Sequence, residues 1–447
     1  MRFLPSLVLL LAGLTAAQAM AWGNHSLASY RAFENMPEVA TASSVTVETL
    51  ESFLHAEEYT LEALLASQEA WALANIEKYP PRPAALAFKA DASNSDEARR
   101  SAFLRALRVA PDSKFALYFQ ADPWNPVGGA ALPASMVSTL SDTVGASYRW
   151  LALKPGDAVA ALTVLASATD EADFGLDANL WEDNPSDWAR SYGFGPQPYG
   201  NPALLAASQA PFHMAFLHEG QLISLGAPSL KRSLVALRSH QYTTLAALAF
   251  RTGHAYWGWR FAGLSLHYLQ ELTQPYNAAL APAESSLKLW SAQAFALSGI
   301  PGMKNELIQL QANRRLVLNK YQAELLQRAA ANRQETTLEK ALHSMDKDRT
   351  YPDWNERYLR DVVSLQASRA ATGLAQALVA ALPAACVSDA SYDFASREAG
   401  ISLLAELPKR DTPERLRLDS SLAELMGNFG AHSRNALRGI LRASDPF

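Results

Sequence analysis

The run Ala262-Gly263-Leu264-Ser265-Leu266-His267-Tyr268-Leu269-Gln270-Glu271-Leu272-Thr273-Gln274-Pro275-Tyr276-Asn277 constrains this chain most. It sets His267 and Glu271 four residues apart in an apolar helical stretch. At that spacing both side chains leave one helix face, one turn apart. An imidazole and a carboxylate so placed can hold one metal ion or bridge two. Gln274-Pro275 ends the helix and sends the chain back over that face.

Composition narrows the class. Residues 1–21 read as a secretory leader: Arg2 opens it, Leu4 to Leu14 form an apolar core, and Ala19-Met20-Ala21 is a small-x-small cleavage site. That core falls short of the ~20 residues a bilayer span needs. The chain is therefore expected to be exported, secreted or periplasmic, and soluble once cut. Cleavage after Ala21 makes Trp22 the first residue; cleavage after Ala19 is the rival. Removing Arg2 takes the formal charge from −5 to −6. An acidic balance disfavours nucleic acid as a partner. Cys386 is the only cysteine, so no intrachain disulfide forms and any metal site draws on His, carboxylates or backbone groups.

The chain reads as mostly helical, with no β alternation and no fixed repeat. Helices are expected over Val45–Lys78, 96–110, 157–168 with Asp157 as cap, 228–274 with a break near Thr252-Gly253, 282–298, 302–345, 355–382 and 413–443. Residues 170–203 lack helical period and are rich in Asp, Trp, Tyr, Gly and Pro. Structureless loops of that length in a compact domain are usually functional.

The 262–277 run resembles the zinc-dependent phospholipase C and S1/P1 nuclease superfamily. There a His-x-x-x-Asp helix precedes Gln-Pro and a second His. Here Glu271 stands at the Asp position and Asn277 at the second His. The resemblance implies an all-α multi-helix bundle of the zinc phospholipase C/P1 nuclease type. It spans 22–447, with about 40–165 as an inserted helical subdomain. It also implies Zn2+, as two ions. Trp22 would chelate through its freed α-amine and carbonyl, the amine being neutral near pH ~7.7–8.0, and His25 would join it. The metal-binding Asp lies between a small and an aromatic residue, which is Asp173, with Asp170 as the alternative. The single His among aromatics is His213. One ion would take Asp173, His213, His267 and Glu271; the other Trp22, His25 and the bridging Glu271. Each donor also has a plainer reading, as a hydrogen-bonded core group or a solvated acidic loop.

The family's third position lacks its ligands. The later helix offers Arg315 with Asn319, or Leu318 with Gln322, and neither pair suits zinc. Arg315 can set a fixed positive charge beside a phosphate instead.

A phosphodiester hydrolase follows from this, with Asp173 orienting or deprotonating a metal-bound water. Phospholipid, with release of a phosphocholine-type headgroup, is the expected substrate and a membrane surface the expected partner. Phe174 stands where the phospholipase branch has an aromatic against choline. Trp181, Trp188, Tyr192, Phe194 and Tyr199 crowd the adjacent loop and suit a quaternary ammonium. The same rings can stack bases, the single-strand nuclease reading, or simply pack the loop onto the bundle. A catalytically decayed helical binding protein is the third reading.

Overall fold

The structure is a computed structural model that describes residues 22, 24–140, 149–408 and 410–444. The expected leader over 1–21 lies outside the described residues. The chain is 61% helix and 3% strand, an all-α architecture.

Its axis is the helix Ala255–Thr273, in which every residue from Tyr256 to Thr273 is buried. Apolar residues run all round it, Trp257, Phe261, Leu264, Leu266 and Leu269 among them, as a helix enclosed on every side requires. The helices Val235–Arg251, Ala161–Ala168 and Pro413–Ser444 enclose it. The break at Thr252-Gly253 falls where the sequence sets it, because Gly253 takes φ +85°, a left-handed conformation that costs glycine little. Gly263 lets the Ala161–Ala168 helix come close. A Cβ there would lie 2.5 Å from the Leu165 carbonyl oxygen and 2.6 Å from the Ala168 Cβ.

The first described helix, His25–Phe33, begins against this axis. Asn24 caps it, its Oδ1 accepting from the Leu27 N–H at 2.7 Å. Trp22 is fully buried, and its indole N–H points to Thr273 Oγ1 at 3.0 Å and the Gln270 carbonyl at 3.2 Å. These bonds hold the start of the described chain beside the His267–Glu271 turn.

Several expectations need correction. Two small antiparallel sheets occur, Val45–Thr46 with Ala158–Val159 and Tyr118–Gln120 with Trp150–Ala152. Strands of two or three residues are too short to print an alternation. The segment 40–165 is thus not purely helical, and its Phe53, Leu54, Phe103 and Leu107 share one core with Leu264 and Leu269. The expected helix over Val45–Lys78 divides into Leu50–Ala56, capped by Thr49, and Glu58–Asn75. Asp157 does not cap a helix. Its carboxylate accepts from the Lys154 N–H at 2.7 Å in a turn, and the helix starts at Ala161. The 302–345 stretch divides at Arg333, which is left-handed, and restarts at a Thr336/Glu339 capping box.

The aromatic loop packs inward. Trp181 stacks against Phe194 and Phe212 with centroids 5.4 and 5.3 Å away, and its indole N–H reaches the Ser208 carbonyl. Tyr192 and Tyr199 donate to the carbonyls of Val109 and Met214. Only Trp188 of the five is half-buried rather than buried. Among the described residues no helix is long and apolar enough to cross a membrane.

Gly263→Ala is expected to destabilise the protein by about 1–3 kcal/mol through overpacking against the Ala161–Ala168 helix. Gly373→Ala, in a helix with open space around it, should stabilise by up to about 1 kcal/mol. Denaturant midpoints of the two variants check both signs.

Candidate metal centre

Four elements converge on one buried point. His25 comes from the first helix, Asp173 from the 3-10 turn Glu171–Phe174, His213 from the end of the helix Leu205–His213, and His267 with Glu271 from the axial helix. His25, Asp173, His267 and Glu271 each offer a ligand atom, and these atoms all lie within 4.8 Å of one another. This group can hold a metal ion.

The separations carry the argument. Glu271 Oε1 lies 3.4 Å from His25 Nε2, 3.5 Å from His267 Nε2 and 3.5 Å from His213 Nδ1. Asp173 Oδ1 lies 3.8 Å from His267 Nε2 and 3.9 Å from His213 Nδ1. The Asp173 distances are too long for hydrogen bonds, and those to Glu271 lie at the outer limit for one. Donors held ~2.1 Å from one ion stand ~3.0–3.4 Å from each other, close to what is found.

The outer nitrogens of His267 and His25 are hydrogen-bonded, and that of His213 faces a carboxylate. His267 Nδ1 lies 2.7 Å from the Thr169 carbonyl, and His25 Nδ1 lies 3.0 Å from Gln270 Oε1. The Gln270 amide is oriented in turn, its Nε2 donating to Ser29 Oγ and Ser433 Oγ. His213 Nε2 faces Asp177 Oδ2 at 3.3 Å. With these outer positions as donors, His25 Nε2, His267 Nε2 and His213 Nδ1 turn lone pairs inward. His267 Nε2 and His213 Nδ1 stand 3.2 Å apart, a contact that either a proton on one ring or a cation shared by both lone pairs satisfies. Asp177 is itself anchored by Arg238 Nε and the Tyr268 hydroxyl, each at 2.7 Å.

Electrostatics agree. Burial, with the Glu271 charge next, pushes the Asp173 carboxyl up to about 8. Burial opposes ionisation of Glu271 too, but His213 and His25 beside it hold it well below the usual carboxylate range. For His213, burial favours the neutral ring, yet Asp177 and Glu271 together raise it to about 10. His25 is likewise raised to about 9 by Glu271 against the cost of burial. Burial and the neighbouring His25 drive His267 well below its ordinary value. Asp177 falls to about 2 because Arg238 and His213 outweigh its desolvation. Without an ion, the cluster resolves its crowding by holding protons.

The sequence-predicted residues therefore fall into groups. His25, Asp173, His213, His267 and Glu271 meet. Asp170 does not: its Oδ1 accepts from the His25 backbone N–H at 2.8 Å and its Oδ2 from Gln120. Trp22 lies beside the site through its indole; the α-amine role depends on cleavage after Ala21, outside the described residues. Asn277 donates to Glu271 Oε2 at 2.5 Å and orients the carboxylate. Of the two registers of the later helix, Arg315 with Asn319 faces the site. Asn319 accepts from Gln274, and the Arg315 guanidinium feels the charges of Glu271 and Asp173. Gln322 packs instead against Met426. Phe174 is not a substrate contact: it is buried edge-on against Trp150 with centroids 5.4 Å apart, in a small core with Tyr118 and Val137. The reason is direction, since the turn that points Asp173 to the centre points the next side chain away.

Sequence reasoning passed over Asp177, Gln270 and Arg238. Asp177 and Gln270 stand within four residues of Asp173 and next to Glu271, but nothing in the letters marks them as supports. Family models, curated proteins and solved structures offer no match to this chain.

Two outcomes follow. Asp177→Asn should weaken metal binding on the order of 10–100-fold, by loss of the charge that orients His213. Ion uptake near pH 7 should release up to three protons, from His25, His213 and Asp173, so affinity rises with pH. Competitive chelator titration in weakly buffered solution measures both.

Proposed function

We propose that this protein is an exported, zinc-dependent phosphodiester hydrolase acting on phospholipid, a phospholipase C in reaction type. The observation that carries it is the spacing of the five inward donors, beside a cationic side chain and an apolar cavity. The cavity is bounded by Met214, next to His213, by Tyr276, next to Asn277, and by Arg315. Nitrogen and oxygen donors without thiolate suit Zn2+. Asp173, His213, His267 and Glu271 would hold the first ion with His25 at its edge. A second ion would need the α-amine of Trp22 freed.

Zinc bound here supplies a water acidified to near neutrality and neutralises phosphate charge. The side chains do the rest. Asp173 would take the water's proton; its Oδ2 is buried and has no hydrogen-bond partner among the described residues. Arg315, buried and charged toward the cluster, would hold a phosphate oxygen as the leaving alkoxide departs. Asn277 would keep Glu271 from rotating. The acidic chain and the apolar cavity favour lipid over single-stranded nucleic acid.

A second reading has one observation in its favour. All five donors are at most 2% exposed, as in a structural metal site. The chain would then be a helical binding protein without turnover.

Side-by-side assay of released phosphocholine and of acid-soluble nucleotides, with metal content measured on the same sample, separates the readings. Phosphocholine release is expected, and Asp173→Asn should lower it by on the order of 10²–10⁴-fold with zinc still bound. Nucleotide release alone makes the protein a nuclease. Stoichiometric metal with neither product leaves the structural reading.

A further inference from the structure

The cavity that ends at Arg315 has a form of its own. It runs along the helix Gly302–Asn332 from Lys304 at the mouth to Arg315 at the inner end. Eleven residues of helix separate them, a length of ~16 Å. Between them the wall is mostly apolar, with Leu307 and Ile308 on this helix, Leu289 on the helix Ser286–Leu297, and Phe216 and Tyr276 also lining it; Gln293 and Gln311 are its polar members.

Charge gives the cavity a sign. Among the described residues its charged lining residues are Lys304 and Arg315, with no carboxylate. Arg315 is buried and feels the charges of Glu271, Glu398 and Asp173. The mouth has the opposite character. Leu287, Phe295, Leu297 and Ile300, in and just after the helix Ser286–Leu297 that supplies Leu289, are exposed, and the stretch 289–303 contains no charged residue. An exposed apolar rim of this kind marks an interaction site rather than ordinary surface.

We propose that this cavity binds a single-chain phosphoester amphiphile, its anionic head at Arg315 and its alkyl chain along Leu307, Ile308 and Leu289 to the apolar mouth. The head lies at the metal centre, so the chain selects lipids that present one tail to this channel. Buried Arg315 fixes the head through a planar fork that matches phosphate oxygens. The apolar wall contributes binding in proportion to the tail surface it covers. Only the identity of the head as a scissile phosphodiester rests on the hydrolase reading above.

The test is calorimetric binding of dodecyl phosphate, below its micelle threshold, to the full processed protein. Saturable one-to-one binding is expected. Leu289→Trp and Ile308→Trp, which fill the channel, should each weaken it at least about tenfold, as should Arg315→Gln. Inorganic phosphate and dodecyltrimethylammonium should bind at least about tenfold more weakly than dodecyl phosphate. Metal content and thermal unfolding of each variant identify any that fails to fold, and two channel variants guard against losing one. No saturable binding, equal binding by the trimethylammonium probe, or unchanged affinity in both folded channel variants overturns the proposal. Binding without turnover keeps the channel and removes the hydrolase. Phosphodiester turnover indifferent to alkyl chain and to both channel variants does the reverse.

Discussion

Two carboxylates and three imidazoles share a volume from which the fold excludes solvent, and that crowding organises the rest of the molecule. Asp173 and Glu271 cannot both ionise there without a compensating positive charge. The chain supplies that charge either as protons on His25 and His213 or as a metal ion. An ion is the better solution geometrically. The outer nitrogens of His267 and His25 are committed to Thr169 and Gln270, that of His213 faces Asp177, and the inner atoms stand at distances that ligands of one ion also take. The buried polar groups beyond this shell follow from it. Arg238 neutralises Asp177, and Ser29 with Ser433 fixes the amide of Gln270.

The architecture serves this arrangement by bringing sequence-distant elements together. His25 and His267 stand 242 positions apart in sequence, with ring centroids 4.6 Å apart. The axial helix is buried all round because each neighbour that encloses it also delivers or supports a donor. Gly263 admits the Ala161–Ala168 helix, after which Thr169 and Asp173 fall into place. Pro413–Ser444 closes the other side and contributes Ser433.

What could be read from the letters follows from the range of each interaction. The axial helix, its break at Gly253 and the His267–Glu271 pair are local patterns with a period of 3.6, and they are found where expected. The supporting bonds were not legible. A backbone carbonyl at Thr169 has no residue signature, and Gln270 looks like any polar residue on a helix. The short strand pairs between 45 and 159 bury too few residues to leave an alternation. The aromatic loop shows a different difficulty. Composition reveals that Trp181, Phe194 and Tyr199 are large and apolar, but not whether they face a ligand or the core, and Phe174 turned inward because its neighbour Asp173 had to reach the centre. The chemistry of Arg315 and Asn319 was legible, because an arginine and a neutral amide are poor zinc ligands whichever way the helix turns.

Metal-edge X-ray absorption on the processed protein, purified without chelator, tests the central claim most directly. The account predicts a stoichiometric divalent ion with nitrogen and oxygen neighbours at ~2.0–2.2 Å and the outer-ring scattering of two or more imidazoles. A folded, stable protein that carries no such ion, with His25, His213 and His267 instead hydrogen-bonded to Asp173 and Glu271, would contradict it.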